Sequence, residues 1–236
     1  MEAEDIAREY GPLVSSLCRR MIRDRETARD AAQEAWTDIL RGLPGFRGES
    51  AVSTWIYAVA VRSIRRHAVR EKVYATRFLA EYFHAKADDG LDEMRDVPVE
   101  DRLAWMKEEC DACLTGIVHC LGDEDRLLYL LRCLTPLDWP RIAGAVGASE
   151  EACRQRWSRS SRKVARFLRG HCHLYNPDGG CRCKLRAPME KLDRDRDYRR
   201  VREMAGRLHF LRSADAWLGA ADWWRSAGNP SPAFSR

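Results

Sequence analysis

The feature that most limits how this chain can fold is the run from Leu137 to Gly170. Pro140 stands where an N1 proline belongs, and Trp139 to Val146 reads as a short helix behind it. Gly147 to Ser149 is a tight turn. Ser149 followed by Glu150 and Glu151 then has the chemistry of a helix start: a hydroxyl that can accept from an orphan N–H, with acids against the positive end of the helix dipole. The second helix meets no breaker before Gly170, a C′ glycine in this reading. Two helices joined by a short glycine-containing turn form a helix-turn-helix.

The rest of the chain reads the same way. Leu13, Val14, Leu17 and Ile22, and then Ala31, Ala35, Ile39 and Leu40, recur at helical spacing. Gly42-Leu43-Pro44-Gly45 is turn chemistry, after which Ser53 or Thr54 can cap a helix running to about His67 or Arg70. Gly122 and Asp123 separate two further apolar helical stretches, with Asp123, Glu124 and Asp125 placed at a helix N-terminus. No stretch alternates with the period of a strand. The expected fold is all-α: a helical domain over 1–72, an acidic linker over 73–102, a helix-turn-helix domain over 103–170 and a cysteine-rich extension over 171–236.

Charge supports this division. The net charge is only +5, but residues 73–111 carry 5 basic and 11 acidic side chains, whereas 150–170 carry 7 basic and 2 acidic. A nucleic-acid face must come from that local segregation. The start of the chain is acidic and lacks the apolar stretch of a signal peptide, and no run approaches the roughly 20 apolar residues that span a bilayer. Nine cysteines, an odd number, then fit a reducing interior, and the expected location is cytoplasmic with no membrane insertion.

On the helix after Ser149, Cys153 and Trp157 lie four apart, as core-facing residues should. Arg154, Gln155, Ser158, Arg159 and Arg162 fall on an adjoining polar stripe. Arginine can donate in pairs to guanine and glutamine can bridge adenine in the major groove, while Arg162, Lys163 and Arg166 suit phosphates. An isolated arginine-rich helix reads equally well as a solvated face; the preceding helix and turn favour DNA.

Further residues carry a resemblance. Asp30-Ala31-Ala32-Gln33-Glu34, then Phe46-Arg47-Gly48-Glu49-Ser50 and Ser53-Thr54-Trp55-Ile56-Tyr57, together resemble region 2 of bacterial sigma factors of the extracytoplasmic-function type. Leu137 to Leu168 resembles their promoter-reading region 4. The likeness covers roughly residues 8–170, and the pairing of the two is more specific than either. Ser63 stands where the family commonly has asparagine, and Ala31-Ala32 replace larger apolar residues.

The resemblance implies a protein, not itself an enzyme, that binds bacterial core RNA polymerase and directs it to promoter DNA with minus-35 and minus-10 elements. It places Arg154, Gln155, Arg156, Ser158, Arg159 and Arg162 on the minus-35 element. The loop Phe46, Arg47, Gly48, Glu49, Ser50 and the helix with Thr54, Trp55, Tyr57, Arg62, Arg65 and Arg66 would hold the melted minus-10 strand, an opened strand needing aromatic faces and cations. Asp30, Gln33 and Glu34 would meet the polymerase. Trp55 and Tyr57, two apart, cannot both face one way on a helix, which leaves core packing of one of them as an alternative reading. Ordinary solvated charges are the alternative reading of Arg65 and Arg66. A separate anti-sigma factor is left open.

The tail opens with His171-Cys172-His173, a turn from Asn176 to Gly180, and Cys181-Arg182-Cys183. Cys172, Cys181 and Cys183 with His171 or His173 can make a tetrahedral zinc site of Cys3His type, with Cys113 or Cys120 as alternative ligands. No cofactor is required for initiation, and the zinc would be structural or sensory, resembling cysteine-rich tails of some sigma factors of this type. Cys18, Cys133 and Cys153 are expected in packing, and Cys110-x-x-Cys113 is read as structural. Leu185 to Arg212 is charged and helical in pattern, and Trp217, Leu218, Trp223 and Trp224 follow; these form a candidate regulatory segment. The rival readings are a stand-alone helix-turn-helix repressor or activator, which leaves Phe46 to Ser50 without a purpose, and a thiol or zinc enzyme, which lacks an acid-base constellation.

Overall fold

The computed structural model describes residues 3–68, 73–85, 113, 115–172, 176 and 178–181. Among them there are helices and no strand. The expected domain start near Leu103, Cys110, His173, Cys183 and the whole segment from Leu185 to Trp224 lie outside the described residues. Two compact units form. The first joins the described residues of 3–73 with 121–162, and the second joins those of 74–120 with those of 163–181.

In the first unit, α1 (Ala3–Met21) buries Ile6, Tyr10, Val14, Leu17, Cys18 and Met21, a single stripe at three- and four-residue steps. Asp24 caps α2 (Arg25–Gly42), its carboxylate accepting from Thr27 N at 2.8 Å and Thr27 Oγ1 at 2.6 Å. The buried stripe of α2 is Ala28, Ala31, Ala35 and Ile39. Small residues there let α3 (Val52–His67) approach closely, and the Ser63 hydroxyl donates to the Ala31 carbonyl at 2.9 Å, with both residues fully buried. The two places where the sequence departs from the family pattern are thus one contact. A short 3-10 turn, Leu43–Gly45, leads out of α2. Neither Ser53 nor Thr54 caps α3, contrary to expectation. The helix starts at Val52, its N-cap is Ala51, and no side chain accepts there.

The same unit holds α5 (Asp123–Leu134), α6 (Trp139–Val146) and the first part of α7 (Glu150–His171). Its acidic first turn is at Asp123, Glu124 and Asp125, as expected. Asp138 caps α6 by accepting from Arg141 N at 3.1 Å, and Gly147 ends it in the left-handed region at φ 71°, where glycine carries no Cβ penalty. Ser149 Oγ then accepts from Ala152 N at 3.2 Å to start α7. The turn follows its sequence chemistry at Gly147 and Ser149, whereas Pro140 stands at N2, one residue after the expected N1, and the far end differs too. Gly170 lies inside α7 and is not among the glycines with positive φ, so it is not the expected C′ residue.

Packing within this unit runs α2 on α3, α1 on α2, α3 on α6 and α1 on α5. Arg126 of α5 is fully buried, donating to the Met21 and Leu121 carbonyls at 3.0 Å each, with Asp123 at 3.3 Å. Met21 closes α1, so the guanidinium satisfies a carbonyl at the negative end of that helix dipole. In the second unit, α4 (Thr76–Ala85) occupies the start of the stretch read as linker. Tyr74 stacks on Phe78 with ring centroids 5.3 Å apart, and Tyr74 N donates to the His119 carbonyl.

Candidate nucleic-acid interface

The loop Phe46 to Ser50 is held by aromatic packing at its base. Phe46 lies 5.4 Å from Trp55, centroid to centroid, and Gly42 gives the Trp55 ring its space, since a Cβ there would sit 2.8 Å from Cζ2. Arg47, Gly48, Glu49 and Ser50 are exposed, and Gly48 takes φ 73°. The loop presents a cation and open backbone on a fixed stem, which suits an extruded base.

Along α3 the candidate residues part company. Tyr57 is fully buried, edge-on to Tyr10 at 6.1 Å, so it is the core member of the Trp55 and Tyr57 pair. Arg62 is exposed. Arg66 pairs with Glu34 at 2.6 Å and Asp38 at 2.8 Å, and His67 Nε2 also meets Glu34. The His67 ring and then the Arg66 guanidinium hold the Glu34 carboxyl below its ordinary range. Of the polymerase candidates, Asp30 and Gln33 are exposed while Glu34 is already engaged. Arg65 donates to both carboxylate oxygens of Glu124, at 2.8 and 2.6 Å, and to the Val146 carbonyl at 3.0 Å. Thr54 Oγ1 is buried and makes no hydrogen bond among the described residues, beside Gly144.

At the start of α7, Cys153 is buried, as expected, and Arg154, Gln155, Arg159 and Arg162 are exposed. Arg154 pairs with Glu150, and its guanidinium lies 5.2 Å from the Trp139 ring centre. Gln155 donates to Glu151 at 3.2 Å, and Arg162 to the Ser158 carbonyl at 3.1 Å. Arg156 turns the other way to Asp125 at 2.7 Å, which makes it a strut between α7 and α5 in this structure. Sequence reasoning missed Trp139 and Arg132. Arg132 also sits over the Trp139 ring at 5.1 Å, and Trp157 meets that ring edge-on at 5.8 Å. An aromatic beside the first turn of a helix-turn-helix was the available signal.

In the second unit the turn after α7 closes as the tail chemistry suggests. Asn176 N donates to the Cys172 carbonyl at 2.9 Å and Cys181 N to the His171 carbonyl at 3.0 Å, which brings Cys172 and Cys181, both buried, to one place. A Cβ on Gly179 would lie 2.8 Å from both Cys172 C and His171 O, so only glycine fits. The His171 ring packs on Phe167, with centroids 4.9 Å apart. Among the described residues no cluster of three or more ligand side chains occurs. Cys120 is fully buried in the same unit, and Cys113 is half-buried.

Residues 6–73 match the sigma-70 region 2 family. The chain is 27% identical to the RNA polymerase sigma-H factor of Pseudomonas aeruginosa over 165 residues, 68% of this chain and 82% of that protein. It is 27% identical to the RNA polymerase sigma factor YlaC of Bacillus subtilis, over 62% of this chain and 80% of that protein. With the ECF RNA polymerase sigma-E factor of Escherichia coli K12 it shares 24% identity, over 66% of this chain and 80% of the relative. No helix among the described residues is long and apolar enough to cross a membrane. Residues 6–73 thus carry a sigma-70 region 2, and the relatives to which the longer stretch is similar are RNA polymerase sigma factors, the Escherichia coli one of the ECF type.

Proposed function

We propose that this chain is a sigma factor that binds core RNA polymerase through the α2 face of Asp30, Gln33 and Glu34 and reads a minus-35 element with the first turns of α7. Arg154, Gln155, Arg159 and Arg162, with Ser158 beside them, contact base edges and phosphates. The melted minus-10 strand lies on Arg47 to Ser50, Trp55, Arg62 and, once released from their present partners, Thr54, Arg65 and Arg66. Tyr57 is left out because its ring is in the core. The single observation that carries the reading is the exposure of Arg154, Gln155, Arg159 and Arg162 on a helix that starts directly after the Gly147 turn. That is the support geometry a recognition helix needs.

The tail tunes this activity through a metal. Support for that part is the loop in which Gly179 allows Cys181 to close on Cys172. Zinc held there, with His171 or His173 and Cys183 completing the set, would fix the turn and supply no chemistry to initiation.

The test is transcription from a randomised promoter library by bacterial core polymerase with the full chain, beside Arg154→Ala/Arg159→Ala, with and without zinc. Starts downstream of a shared two-part motif, with the upstream half lost in the variant, are expected. Sequence-specific duplex binding by the chain alone, with no polymerase binding, would instead establish a stand-alone helix-turn-helix regulator.

A further inference from the structure

α7 begins with two carboxylates, and each is engaged by a side chain one turn further on. Glu150 Oε1 accepts from Nε of Arg154 at 2.9 Å and also from its Nη2, while Glu151 Oε1 accepts from Gln155 Nε2 at 3.2 Å. Acids in the first turn of a helix are ordinarily accounted for by the macrodipole. The dipole asks nothing of the residues one turn along, yet here those are two of the side chains proposed to read base edges. Ser149 Oγ caps this turn through Ala152 N, so both carboxylates stand on a fixed stretch of backbone.

Donor chemistry decides what the pairs leave over. A carboxylate only accepts, so Gln155 has to turn its amide nitrogen to Glu151, because the flipped amide would set two oxygens against each other. The Gln155 carbonyl and a second N–H are left for DNA, and adenine matches that acceptor and donor in the major groove. Arg154 is held along its Nε edge by Glu150, with Cζ 5.2 Å from the centre of the Trp139 ring. The Nη1 end of the guanidinium has no partner among the described residues, and it forms the fork that guanine O6 and N7 accept. Arg154, Gln155 and Glu151 are all exposed, so the paired groups face outward together.

Two carboxylates on a face that meets phosphates weaken binding to DNA of every sequence. Their effect on the choice among sequences has the opposite sign. Released from Glu151, Gln155 could turn either end of its amide to a base, and Arg154 released from Glu150 could swing to a phosphate. We infer that Glu150 and Glu151 are positioning residues for recognition of the upstream element. Glu151 fixes the Gln155 amide for adenine, and Glu150, with the Trp139 ring, fixes the Arg154 fork for guanine. The inference rests on the proposed reading of α7 and adds to it the two residues that set its selectivity.

The experiment is transcription by bacterial core polymerase with the full chain on templates randomised across the upstream element. The variants are Glu150→Ala, Glu151→Ala, Arg154→Ala, Gln155→Ala and the double Glu151→Ala/Gln155→Ala, with base preference at each position and total output read separately. The parent should prefer adenine at a position that Gln155→Ala makes indifferent, and guanine at one that Arg154→Ala makes indifferent. Glu151→Ala should lower the adenine preference about three- to tenfold and leave the guanine preference unchanged, and Glu150→Ala should do the reverse. Total output should hold or rise in both, because a charge that repels phosphate is gone. With Gln155 already replaced, Glu151→Ala should change no preference further, since its effect passes through that amide. A uniform fall in output with every preference kept, or no change at all, would leave the two acids as dipole partners only and overturn the inference while the reading of α7 stood. An effect of Glu151→Ala that persists without Gln155 overturns it too, making Glu151 a base reader itself. Preferences that neither Arg154→Ala nor Gln155→Ala alters overturn the reading of α7 and the inference together.

Discussion

Gly42 gives Trp55 its seat: a Cβ at the end of α2 would lie 2.8 Å from Cζ2 of the indole, and Phe46 packs on that ring from the loop side. The base of the exposed loop therefore depends on one missing methyl group.

Gly42→Ala should accordingly lower stability, although alanine is ordinarily the better helix residue. Overpacking of this kind costs about 1–3 kcal/mol. Gly144→Ala is the control of opposite sign, because its Cβ meets Thr54 only at 3.8 Å within α6. That change should stabilise by about 0.5–1 kcal/mol. Thermal midpoints of the two variants check the pair. A rise for Gly42→Ala would mean that the indole is not seated as described.

Arg126→Ala should be among the most destabilising single changes in the chain. It strips the Met21 and Leu121 carbonyls of a donor and leaves a cavity where a fully buried guanidinium stood. The loss is expected at about 3 kcal/mol, read as a fall in urea midpoint with little change in slope. Arg126→Met should lose less, keeping the volume but not the donors.

Helix chemistry that is local was legible in the sequence. Pro140, Gly147 and Ser149 act within three or four residues of themselves, and the α6 to α7 turn follows from them. Contacts that depend on distant chain were not. Arg126 reads as a surface cation by pattern, and nothing near it announces a carbonyl of α1. Arg65 likewise finds its carboxylate in α5. The start of α3 was misplaced because hydroxyls at Ser53 and Thr54 suggest a cap, whereas the loop after Gly48 brings Ala51 to that position in extended conformation. Half of the Trp55 and Tyr57 ambiguity was soluble only by the fold, since the Tyr10 ring that encloses Tyr57 belongs to α1.

Acidification should weaken the attachment of α3 to α2. The Glu34 carboxyl is held below its ordinary value of 4.5 by His67 and Arg66. A depressed carboxylate stabilises above its unfolded pKa, and that contribution is lost as pH falls through the lowered folded value. Thermal midpoints of the parent and Glu34→Gln, followed from pH 6 downward, should therefore converge below about pH 4. A constant difference across that range would show that the pair carries no linkage.

The tail loop offers the sharpest steric test. Gly179 faces three backbone atoms, Cys172 C and His171 O at 2.8 Å and Asn176 O at 2.9 Å, none of which can swing aside as a side chain could. Gly179→Ala should push the turn open and break the bond from Cys181 N to the His171 carbonyl. Cys181, 3% exposed in the closed loop, would then meet solvent. Alkylation mapped by mass spectrometry should show Cys181 labelled at least about tenfold faster than in the parent. Cys18 serves as the internal reference, since burial in α1 pushes its thiol up to about 12 and keeps it unreactive in both proteins. If zinc closes the same loop, added zinc should slow Cys181 labelling in the parent and do so less in Gly179→Ala. Equal labelling of the two proteins would mean that the loop tolerates a Cβ and that Cys172 and Cys181 are not held together by this turn.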